Sequence, residues 1–113
     1  METNSPYALD TEVHDGIAIV TFDLPGEPVN KISRSIKNEF VALFDRLERD
    51  SNVKAAVLIS GKADNFIAGA DISELAQCDP VSGRETGLFG QGVIHMLETM
   101  GKPSIAAING FAL

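Results

Sequence analysis

Apolar and polar positions alternate near the start of the chain and then recur at longer spacing, and each change of period marks a change of element. Two β-prone runs, residues 7–13 and 17–22, flank His14-Asp15-Gly16. Asp-Gly between such runs predicts a hairpin, because a type I′ turn needs positive φ at both central positions. Residues 23–30 hold Pro25, Gly26 and Pro28 and read as a loop. Ile36, Phe40, Phe44 and Leu47 then recur at helical spacing with Leu43 beside them. Lys37, Asn38, Asp45, Arg46, Glu48 and Arg49 fall mostly on the other face. This helix starts at Ser33 or Ser35 and ends near Asp50-Ser51-Asn52. Residues 55–60, AAVLIS, are continuously apolar and too short for a helix, which predicts a buried strand. Residues 1–6 read as a loose polar lead-in.

The stretch after that strand is the candidate for chemistry. Residues 64–74, DNFIAGADISE, pass from a polar turn through two small residues around Gly69 to a helix start. Asp71 reads as the cap and Glu74, three residues on, completes a capping signature. Ala68, Gly69 and Ala70 thus present nearly bare backbone beside a helix N-terminus, where free N–H groups favour an oxyanion or phosphate. A tight strand-to-helix turn that needs small residues for clearance explains the same pattern. Beyond it, a short helix spans residues 72–77 and Asp79-Pro80 breaks it. Ser82 and Glu85 form a second capping box ahead of an apolar stripe at Phe89, Val93, Met96, Leu97 and Met100. Gly101 reads as a C-cap and Pro103 as a stop. Residues 104–108, SIAAI, predict another buried strand, followed by a turn at Asn109-Gly110. The order of hairpin, helix, strand, helices and strand predicts an α/β fold with its later strands parallel.

Composition narrows the function classes. A net charge of −7 on 113 residues argues against nucleic acid or an anionic membrane as main partner. Cys78 is the only cysteine, so no intramolecular disulfide forms and a reducing compartment is favoured. No apolar run is long enough to span a bilayer and the start carries no apolar signal segment, which predicts a cytoplasmic protein without stable membrane insertion. No metal-ligand spacing occurs. Asp71 and Glu74 read as caps rather than an acid/base pair. His14 and His95 fall on solvated positions, and Cys78 reads as a core or surface thiol.

Two motifs in order carry a family resemblance. Phe66-Ile67-Ala68-Gly69-Ala70-Asp71-Ile72, and some thirty residues later KPSIAAINGFAL over residues 102–113, resemble the crotonase (enoyl-CoA hydratase/isomerase) superfamily. Together with VLISGK at residues 57–62 they are most similar to its multifunctional fatty-acid β-oxidation branch. The resemblance covers about residues 7–113 and implies the first portion of a crotonase-like ββα spiral fold, with residues 1–113 as the N-terminal part of a larger domain. The apolar ending Phe111-Ala112-Leu113 fits a chain cut inside such a fold; a short self-contained protein is the alternative.

The resemblance also implies roles. Acyl-CoA is the substrate, and the backbone N–H of Ala70 is one of two donors that polarise its thioester carbonyl. The carbonyl of Ala68 contacts the adenine of CoA, Gly69 and Asp71 belong to the same substrate-binding turn, and Asn30 and Lys31 match a segment near the CoA entrance. The second donor and the two acid/base glutamates fall after the equivalent of Leu113. Monofunctional hydratases tend to carry lysines where this sequence has Glu27 and Asp64. Coenzyme A enters as part of the substrate, and NAD only if a dehydrogenase domain lies downstream. An oligomer or a complex with a thiolase subunit is the implied assembly. One preorganised oxyanion donor contributes about 2.7–4 kcal/mol to the transition state, and a positioned acid or base about 10²–10⁴-fold. Three readings follow: part of a β-oxidation enoyl-CoA hydratase, another crotonase-type enzyme such as an isomerase, or a non-catalytic chain that pairs with a partner.

Overall fold

The computed structural model describes residues 7–113, so the polar lead-in lies outside the described residues. Strands β1 (Leu9–His14) and β2 (Ile17–Phe22) form the hairpin, in register from Leu9 opposite Phe22 to His14 opposite Ile17. Asp15 and Gly16 sit at φ 51° and 82°, both positive as the turn requires. Helix α1 (Arg34–Arg49) starts at Ser33, whose hydroxyl accepts from the Ile36 N–H. Strand β3 (Ala55–Ser60) joins β2 in parallel, and β4 (Ser104–Ala106) joins β3 in parallel, giving the order β1-β2-β3-β4. Between them lie the single turn α2 (Ile72–Leu75) and the long helix α3 (Pro80–Thr99). No helix among the described residues is long and apolar enough to cross a membrane.

One face of β2 explains the core. Its pleat turns Ala18, Val20 and Phe22 inward, and α1 meets them with Ile36, Phe40, Leu43, Phe44 and Leu47. Phe22 and Phe40 meet edge to face at 5.6 Å. From α3 only Val93 is buried; Met100, its C-cap, is buried as well. Phe89, Met96 and Leu97, the rest of the predicted stripe, are half-buried.

Four expectations change. Helix α3 begins at Pro80, not Ser82. Asp79 is its N-cap, accepting from the Ser82 N–H at 2.7 Å while Ser82 Oγ accepts from the Asp79 N–H. Proline at the first helical position gives up an N–H that had no partner anyway, so Asp79-Pro80 starts a helix rather than breaking one. Helix α2 ends at Leu75 instead of residue 77. Strand β3 is not fully buried: Ala56 alone is, and its other residues are half-buried. Strand β4 is shorter than residues 104–108, and every residue of it is exposed. It is the sheet's last strand, with β3 on one side only.

Candidate functional site

The stretch after β3 is held between two others. On one side, Ala68 N–H donates to the Asn30 carbonyl (2.7 Å), Ile32 N–H to Gly69 (2.9 Å) and Asp71 N–H to Ile32 (2.9 Å). On the other, Phe66 N–H donates to Phe111 (2.9 Å), Phe111 N–H to Asp64 (3.3 Å) and Leu113 N–H to Ile67 (3.0 Å). Parallel bridges pair Ile32 with Ala70 and Asn65 with Phe111.

That pairing decides what Ala70 offers. In its bridge to Ile32 the bonds are made by the carbonyl of Gly69 and the N–H of Asp71, the groups flanking Ala70. The N–H of Ala70 itself points away from that partner, and among the described residues it donates to nothing. Ala70 is exposed and lines a cavity of about 400 Å³ together with Gly69, Phe40, Phe66, Leu97 and Ile108. Gly69 precedes it at φ 110°, a conformation that L side chains rarely adopt. The structure therefore sets a free backbone donor at the mouth of an apolar chamber.

Three of the remaining candidates surround a smaller depression of about 310 Å³, lined by Lys31, Ala68 and Asp71 as well as Ala70. Lys31 Nζ lies 3.4 Å from Glu27 Oε1, so the acid at residue 27 pairs with a neighbouring lysine. The Asp71 carboxylate accepts from Ser73 Oγ (2.6 Å), Ser73 N–H (3.0 Å) and Glu74 N–H (3.3 Å). The Ser73 hydroxyl, then the Glu74 amide, hold its carboxyl below the usual carboxylate range; the nearby charge of Lys31 adds to this.

Two readings are corrected by this geometry. Asn30 does not face a ligand. Its side chain is completely buried, with Nδ2 lying 2.9 Å from the carbonyls of Phe22 and Phe66 and 3.0 Å from Ser60 Oγ, while Oδ1 accepts from Leu24 N–H. A side chain with every polar atom engaged inside the protein has nothing left for a substrate, so Asn30 positions the turn instead. The helix start does not serve as an anion site either. Helix α2 is a single turn, and Asp71 already takes the N–H groups of Ser73 and Glu74. Glu74 does not complete a capping box with Asp71; its carboxylate accepts from the Arg34 N–H at 3.0 Å and so caps α1 from another element.

Sequence reasoning missed three contributors. Asn65, also fully buried, accepts from Asn30 N–H at 3.2 Å and donates to the Pro28 carbonyl at 3.1 Å. Gly110, at φ 64°, lets residues 109–113 approach the turn: a Cβ there would sit 1.9 Å from the Asp64 carbonyl oxygen. Lys37 lines the larger cavity from α1 despite its charge. Only the Asn109-Gly110 turn signal hinted at any of these. His95 and His14 are exposed, and Cys78 is half-buried with its thiol 3.6 Å from the Glu74 carbonyl.

Comparison with known proteins bears on the same residues. The family model described as enoyl-CoA hydratase/isomerase matches residues 12–113. The fatty acid oxidation complex subunit alpha of Idiomarina loihiensis is 42% identical over 100 residues, which cover 88% of this chain and 14% of that protein. That of Shewanella frigidimarina is 45% identical over 101 residues, with the same coverage of 88% and 14%. The chain thus spans about one seventh of the length of these relatives. Among solved structures, Pseudomonas aeruginosa DspI superimposes with a TM-score of 0.85 at 30% identity over 97% of this chain and 41% of its own. The enoyl-CoA hydratase of Bacillus anthracis shares the fold at a TM-score of 0.86 and 21% identity, over 94% of this chain and 41% of its own.

Proposed function

The chain belongs to the enoyl-CoA hydratase/isomerase (crotonase) family, and from that premise we propose that it is the acyl-CoA-binding part of an enoyl-CoA hydratase of fatty-acid β-oxidation. The observation that supports this reading is the unengaged N–H of Ala70 at the apolar chamber. In the hydratase reaction, water adds its oxygen to the β-carbon of a 2-enoyl thioester and a proton to the α-carbon. Between those events negative charge collects on the thioester oxygen. A backbone donor fixed before the reaction stabilises that charge without reorganising. The apolar wall receives the acyl chain, and the depression at Lys31 and Ala68 receives part of the CoA moiety.

Proton transfer is a separate task. The carboxylates nearest Ala70 in sequence are already engaged: Asp64 with Asn65, Asp71 with α2, and Glu74 with Arg34. The 113-residue chain is therefore expected to bind and polarise an enoyl-CoA without hydrating it. Membership of a complex belongs to the same proposal, supported by relatives that are subunits of a fatty acid oxidation complex; a thiolase subunit as partner and a cytoplasmic location complete it. NAD enters only with an accompanying dehydrogenase domain.

The test is the infrared carbonyl band of crotonyl-CoA labelled at the thioester carbon. Binding to the chain, and to Ala70→Gly, lowers its frequency relative to free ligand, whereas Ala70→Pro, which has no N–H, does not. A band that the unaltered chain leaves in place sinks the oxyanion reading.

A further inference from the structure

Lys37 is a buried charge that the reading above leaves without a task. It lies on the inner side of α1, only 7% exposed. Lysines are almost never fully buried unless paired, yet no Asp or Glu among the described residues forms an ion pair with it. Its Nζ donates to the Thr86 carbonyl on α3 at 3.2 Å and sits 6.0 Å from the centre of the Phe89 ring. An ammonium has three donors, so one is used. Gly90 leaves it unscreened: a Cβ there would lie 3.6 Å from Nζ. Lys37 and Gly90 both line the cavity that Ala70 opens into, and Lys37 is the one charged residue among those that line it.

We propose that Lys37 makes this chamber selective for acyl-CoA thioesters whose chain ends in a carboxylate, that is, dicarboxylic acyl chains. The inference rests on the acyl-CoA reading and adds the substrate class to it. A plain alkyl tail filling the chamber shuts water away from an ammonium that still has open donors, and burying polar groups unpaired is costly. A distal carboxylate instead meets those donors in charge-assisted bonds and neutralises the buried charge. The thioester carbonyl at Ala70 and the carboxylate at Lys37 then fix the chain at both ends.

Calorimetric titration of the 113-residue chain decides it. The ligands are succinyl-, adipoyl- and suberoyl-CoA, each compared with the alkanoyl-CoA of equal carbon number (butyryl-, hexanoyl- and octanoyl-CoA) and with CoA itself. At least one dicarboxylic ester is expected to bind about tenfold more tightly than its alkanoyl counterpart. Lys37→Met is expected to abolish or reverse that preference, and Lys37→Arg to keep part of it. Equal binding within every pair, or a preference that survives in Lys37→Met, overturns the role of Lys37 while leaving the acyl-CoA reading intact. If Lys37→Met fails to fold, Lys37→Gln, which also removes the charge, takes its place with the same two outcomes. If no ester binds more tightly than CoA, the acyl-CoA reading falls and this proposal with it.

Discussion

The two ends of the sheet are built on different terms. At β2, alternate residues are sealed against α1, and Ala18, Val20 and Phe22 are almost fully withdrawn from water. At β4, the sequence is no less apolar, yet Ile105 is 61% exposed and neighbouring Ile108 63% exposed. The difference lies in what covers them. A 16-residue amphipathic helix lies over β2, whereas β4 pairs with β3 alone and no side chain of it joins the buried clusters. Hydrophobicity therefore marks which residues would profit from burial, and topology decides which of them are buried. The turn with Ala70 sits at the boundary, tied to the closed region by Asn30 and to the open one by Phe111 and Leu113.

Substitutions can break this contrast at graded depths. Phe22→Ala empties the closed side and should cost about 3–5 kcal/mol in urea unfolding; a loss below about 1 kcal/mol would mean that the two ends are equally loose. Asn30→Ala strips partners from the Leu24 amide and the Phe22 and Phe66 carbonyls. It should cost about 1–3 kcal/mol and also weaken enoyl-CoA binding, because the turn loses its support; undiminished affinity by calorimetry would argue against a positioning role. Ala70→Pro should lower crotonyl-CoA affinity about tenfold, the worth of one hydrogen bond, with Ala70→Gly close to the unaltered chain. Equal losses in the two variants would point to the methyl group instead of the N–H.

Acid provides a gentler probe. The folded-state pKa of Asp71 is lowered, so its cap contributes above the ordinary carboxylate value of 3.8 and is lost as pH falls through the lower folded value. The amide proton shifts of Ser73 and Glu74, followed by NMR, should hold steady around neutral pH and move only under that acid condition; Asp71→Asn should remove that acid step while keeping a cap. Ile105→Ala, on the open side, should shift stability by no more than about 0.5 kcal/mol.

What could be read from the residues follows the same division. The hairpin and α1 were legible because period and turn chemistry are local: Asp15-Gly16 and the Ile36-Phe40-Leu43-Phe44-Leu47 face need no knowledge of the rest of the chain. The turn at Ala70 was legible as a motif, because the small residues around Gly69 leave the backbone nearly bare; the choice of the Ala70 N–H as donor came only from the family resemblance. Its support was not, because Asn30 and Asn65 carry no period and meet across 35 positions. The exposure of β4 was hidden for the opposite reason: an apolar run looks the same whether it lies under a helix or at a sheet edge. At Asp79-Pro80 the error was one of sign, with proline read as a stop where it serves as a start.

The Asn30 knot also sets an order of events. Its side chain bonds residues 30 and 36 positions away, at Ser60 and Phe66, so those bonds form only after a long loop has closed, and closure entropy slows such contacts. The β1–β2 hairpin needs no such wait, being local in sequence. The hairpin should thus assemble early and the Ala70 turn late, after β3 has docked on β2. Mutations in the knot would then speed unfolding while scarcely slowing folding, so that the unengaged N–H of Ala70 is the last part of this scaffold to be set and the first to be released.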